Sequence, residues 1–176
     1  MLKKIRNIII VFLLIVLCFV IQNAVSLSSG NLFVTPNLLI IVTCIFGYMK
    51  GSKTGIIVGF VSGLLADIFA ADVIGMNAFL YMCVGFVSGV FNRLFYRDMV
   101  LLPLAIVFGG DFLYNFGYYV LRFLLRNKLD FSYYMMDIIL PEMIFTTFIA
   151  LVIYRVFYYI DSKWLVEEQR STLNFD

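Results

Sequence analysis

The chain contains no histidine. With no imidazole it lacks the side chain that most often serves as a general base near neutral pH, and the commonest nitrogen ligand for zinc or copper. Its three cysteines, Cys18, Cys44 and Cys83, all fall inside apolar runs with no paired spacing. They read as packing residues, not as a disulfide framework or a metal site. Charge is scarce as well, at 14% of 176 residues, which is too little to keep a soluble domain of this size in water. The net charge is only +2, and the Lys and Arg residues are dispersed between apolar runs. That dispersal excludes a nucleic-acid footprint and is the pattern of topology signals. No nucleophile motif is present, and no glycine loop stands between a strand and a helix to cradle phosphate, so nothing points to an enzyme, a metal or a cofactor.

What is present is apolar: 63% of the residues are hydrophobic and the mean hydropathy is +1.01. The composition predicts an all-α integral membrane protein whose solvent is lipid. At about 20 residues per crossing there is room for a single membrane domain, 1–176, built as a six-transmembrane-helix bundle. The spans are predicted at about 8–25, 36–49, 54–70, 76–95, 100–125 and 133–160, followed by a short polar tail, 161–176, with Trp164 at the expected interface. The first run follows Lys3, Lys4 and Arg6 like a signal peptide. Its 18 residues exceed an h-region, however, and Ser26 to Asn31 lacks a convincing small-x-small cleavage site, so it reads as a retained span. Pro36 is expected in the first helical position of the second span, and Pro141 is expected to bend the sixth. With the N-terminus inside, ten of the thirteen basic residues fall on the cytoplasmic side; only Arg122, Arg126 and Lys128 oppose the trend. Both termini are therefore expected in the cytoplasm.

Two features stand out within the spans. The first is a glycine ladder, with Gly51, Gly55, Gly59 and Gly63 repeating every four residues beside Ser62 and Ala66, answered by Gly85, Ser88 and Gly89 in the next helix. Small residues at this spacing let backbones meet in a right-handed crossing. One reading is packing within the chain; the sharper one is a groove that docks a partner's helix. The second feature is Asp111, near the middle of the fifth span, with Tyr114, Asn115 and Tyr118 on one face. An ionisable group at that depth is costly. It reads either as a hydrogen-bonded carboxyl that fixes helix register or as a proton or ligand site. With no second buried carboxylate or basic partner visible at its depth, register is the favoured reading. Asp67, Asp72 and Glu142 lie nearer span ends and are expected to be solvated at the interface.

A basic start and one apolar helix lead to Pro36-Asn37-Leu38, and then to the stretch Gly51 to Asp67. That stretch carries Gly59, Phe60, Gly63, Leu64 and Asp67, a Gly-Phe-x-x-Gly-Leu-x-x-Asp pattern followed by Gly75. This order of features resembles the bacterial rod shape-determining protein MreD family. The motif covers about 25 residues, while the helix layout covers the whole chain. The resemblance implies a multi-pass protein of the bacterial cytoplasmic membrane and a fold similar to the substrate-binding subunits of energy-coupling-factor transporters. It also implies a non-enzymatic scaffold in the cell-elongation machinery, or elongasome. The implied partners are MreC, a single-span protein, and through it the actin-like MreB filament and the peptidoglycan polymerase and transpeptidase. The fold relation supplies an alternative function, the small-molecule-binding subunit of a vitamin transporter. The missing small-residue ladder in helix one and the short loops weigh against it.

Overall fold

The computed structural model describes residues 2–28, 35–70, 73–94, 101–126 and 134–155. Among these it is all helical: α1 (Leu2–Ser28), α2 (Leu38–Lys50), α3 (Ser52–Ala70), α4 (Met76–Val90), α5 (Leu101–Arg126) and a last helix, α6, described over 140–155. A 3-10 turn, Phe91–Leu94, extends α4, and a π-helical stretch, Tyr134–Ile139, leads into α6. Asp72, Arg97, Lys128, Asp130, Trp164 and the tail lie outside the described residues.

Three of the helices are long and apolar enough to cross a bilayer, over Ile8–Ser26, Ser52–Phe69 and Leu101–Leu121; α2 and α4 are shorter. Large apolar side chains face outward from every helix but α2, including Phe12 and Leu17 of α1, Phe69 of α3, Phe86 of α4, Phe112 of α5 and Phe148 of α6. In water such a surface would aggregate, whereas in lipid it is the normal exterior.

The centre is α2. Its thirteen residues are apolar on every side, and Leu38 to Ile45 are all buried. A helix that is hydrophobic all round belongs inside a bundle, and α1, α3, α4 and α5 all pack against it. At about 1.5 Å per residue it is some 20 Å long, well short of an apolar slab about 30 Å thick, so at least one of its ends lies at depth. Helix ends at depth need partners for their free backbone groups. At the N-terminus the Asn37 side chain accepts from the Ile40 amide at 3.3 Å, and Gln22 of α1 accepts from the Leu39 amide at 3.3 Å. At the other end Asn92 donates to the Tyr48 carbonyl at 2.6 Å. Asn37 caps the helix and Leu38 begins it, so Pro36 stands one residue ahead of the cap and not in the first helical position.

Just before Pro141, where the sequence predicts a bend, the chain is π-helical. Proline has no amide hydrogen to close the turn behind it, and a wider turn absorbs the mismatch. Beyond it, Met143, Thr146, Ala150 and Tyr154 face inward along one stripe of α6.

Candidate functional site

The glycine ladder forms the seam between α3 and α4. A side-chain carbon built on Gly63 would stand 2.5 Å from the Ala78 Cα, and those on Gly55 and Gly59 would collide with the carbonyls of Gly85 and Tyr81. Gly85 and Gly89 meet Gly55 and Ser52 in return, and Gly47 of α2 joins the same junction, 2.8 Å from the Gly85 carbonyl by the same construction. Three backbones thus converge where only hydrogen fits, and α4 fills the groove that the sequence pattern opened. Gly51 and Gly75 play a different part. Both have positive φ, 90° and 99°, one ending α2 and the other beginning α4, a conformation that favours glycine.

Asp67 completes the hairpin. The sequence suggested a hydrated carboxylate at the interface, but the residue is only 2% exposed. Its carboxylate reaches across to the start of α4, accepting from the Gly75 and Ala78 amides at 2.9 Å through Oδ2 and from the Asn77 amide at 3.1 Å through Oδ1. A carboxylate at a helix N-terminus satisfies otherwise unpaired donors and complements the helix dipole. The order Gly59, Gly63, Asp67 therefore has one physical meaning: two close-packing positions and then a cap, each one helical turn beyond the last, all directed at α4.

The second cluster lies among α2, α4, α5 and α6. Tyr81 donates to the Asn37 side chain at 2.7 Å, and Tyr114 donates to the Asn77 side chain at 2.9 Å. The two tyrosine rings meet edge to face at 4.9 Å, and Tyr118 stacks on Tyr114 at 6.0 Å. The Thr146 hydroxyl of α6 accepts from the Asn37 amide at 3.1 Å. Asp111 is wholly buried; its Oδ1 accepts from Asn115 at 3.2 Å, while its Oδ2 has no hydrogen-bond partner of good geometry, although the Thr146 hydroxyl faces the carboxyl. Glu142 of α6, half-buried, stands within electrostatic reach of Asp111. Glu142 is thus not simply hydrated at a span end, as the sequence suggested, but partly enclosed within reach of the Asp111 charge. Helical periodicity relates residues on one helix, whereas this pair is assembled by packing α5 against α6.

Of the residues singled out in the sequence, Gly55, Gly59, Gly63, Gly85, Gly89 and Asp67 come together at the α3–α4 seam, and Asp111, Tyr114, Asn115 and Tyr118 in the polar cluster. Gly51 and Gly75 fall at turns, and Asp72 is outside the described residues. The pattern gave no notice of Gln22, Asn37, Gly47, Asn77, Tyr81, Asn92 or Thr146. Of these, Asn37 carried a readable signal, an Asn directly before an apolar run and directly after a proline. Among the described residues no group of three or more His, Cys, Asp or Glu side chains gathers as a metal site, and all three cysteines are free thiols.

The model of one family, the rod shape-determining protein MreD, matches residues 3–161. No curated protein and no solved structure matches the chain.

Proposed function

The chain belongs to the rod shape-determining protein MreD family, whose role is in rod-shape determination, and from that premise we propose that it is a non-enzymatic scaffold of the cell-elongation machinery. It sits in the bacterial cytoplasmic membrane as a multi-pass bundle with both termini inside, and binds an MreC-type single-span partner. Through that partner it helps to organise the MreB filament and lateral peptidoglycan synthesis. The observation that carries the reading is the family match over residues 3–161. The build of the bundle agrees with it: the buried polar groups tie helices to one another, and the outward faces are broad and apolar.

Because α4 occupies the glycine groove, the partner's helix has the outward faces to pack upon. Association in lipid draws on close packing and a few polar contacts, since a helix gains no hydrophobic driving force by leaving lipid tails. The test is affinity purification of the tagged protein from its own membranes in mild detergent. Recovery of the MreC-type protein in stoichiometric amount is expected. Recovery of the bundle with a bound vitamin and no such partner would instead favour a small-molecule-capture role.

A further inference from the structure

We propose that the Asp111 site binds one monovalent cation, a proton or a sodium ion, at the junction of α5 with α6. Asp111 is 0% exposed and Asn115 takes only one of its carboxyl oxygens, leaving Oδ2 without a partner. The groups that face it are Cys44 from α2, Tyr81 from α4, and Glu142 and Thr146 from α6. None of them carries a positive charge, and no Lys or Arg among the described residues bears on the Asp111 carboxyl.

A lone carboxylate deep in an apolar bundle is strongly disfavoured unless it is paired or neutralised, and a second carboxyl nearby sharpens the problem. One positive charge relieves both. The donors at the carboxyl are hard oxygens: the free Asp111 Oδ2 and the Thr146 hydroxyl, which still has its own proton and a lone pair after accepting the Asn37 amide, with the Glu142 carboxyl within electrostatic reach. Oxygen donors suit a proton or sodium. A calcium-like ion would call for about six to eight ligands, and no third carboxylate joins the pair among the described residues. The occupied site links the Asp111 face of α5 to the same Thr146 that holds the N-terminus of α2, so the bound charge joins three helices.

The experiment is thermal unfolding of the purified full-length protein in detergent, with sodium replaced by choline at constant ionic strength, and separately with pH varied. A ligand that binds only the folded state stabilises it with the logarithm of its concentration. The melting temperature of the wild type is therefore expected to climb by a constant step for each tenfold rise in sodium, or for each unit fall in pH. The first response identifies sodium and the second a proton. Asp111→Asn, neutral and nearly isosteric, is expected to abolish the step. A wild type indifferent to both sodium and pH, or an Asp111→Asn variant with the wild-type step, overturns the proposal. Should Asp111→Asn not fold, Thr146→Val takes its place: a response displaced to at least tenfold higher cation activity is expected, and an undisplaced one overturns the proposal.

Discussion

Replacing Asp67 with alanine deletes a carboxylate that accepts from the amides of Gly75, Asn77 and Ala78. The size of the loss depends on where those amides are left. Gly75 is exposed and its amide can turn to another acceptor or to water, whereas Asn77 and Ala78 are 7% and 3% exposed. A buried donor stripped of its partner costs about 1–3 kcal/mol. Two of them set the expected destabilisation at about 2–6 kcal/mol, against about 1 kcal/mol for an ordinary exposed N-cap. Asp67→Asn should lie between, because one oxygen remains to accept while the new amide nitrogen faces a donor. The assay is reversible unfolding by sodium dodecyl sulfate in mixed micelles, followed by far-ultraviolet circular dichroism. An Asp67→Ala variant within about 0.5 kcal/mol of wild type would refute the argument that this carboxylate is a structural cap.

Other substitutions test the packing and the polar cluster by the same assay. Gly59→Ala should destabilise by about 2–3 kcal/mol, since the added methyl strikes the Tyr81 backbone, which cannot give way as a flexible side chain would. Gly109→Ala is the control on α5, where nothing lies within 4 Å: it should be neutral or stabilising by up to about 1 kcal/mol. Tyr81→Phe should cost about 1–1.5 kcal/mol by removing the donor to the buried Asn37 side chain while leaving the ring contact with Tyr114 in place.

Apolar run length and glycine or charge punctuation are local signals, and α2, α3 and α5 begin and end within two residues of the expected bounds, whereas α4 ends at Val90, five residues before the expected 95, and gives way to the 3-10 turn Phe91–Leu94. The rank of the helices was not legible in the sequence. Nothing in this largely apolar run says that Leu38–Lys50 is enclosed by its neighbours while the longer apolar α1 stands at the edge. In lipid, inward and outward faces are both hydrophobic, so the moment that orients a helix in water carries little information. The glycines told that backbones would touch but not which ones, and α4 supplied the answer. Asp67 was misjudged because its position near a helix end suggested solvent. Its partners lie eight to eleven residues ahead, across a turn held by Gly75. The Asp111 neighbourhood depends on α2, α4 and α6 meeting α5, which single-helix periodicity does not encode.

The most direct test of the functional account is depletion of this protein in its host, with cell shape imaged as it disappears and the wild-type chain supplied in trans as the control. The account predicts that rods round up and that resupply restores them. Cells that stay rod-shaped after the protein has gone would contradict it.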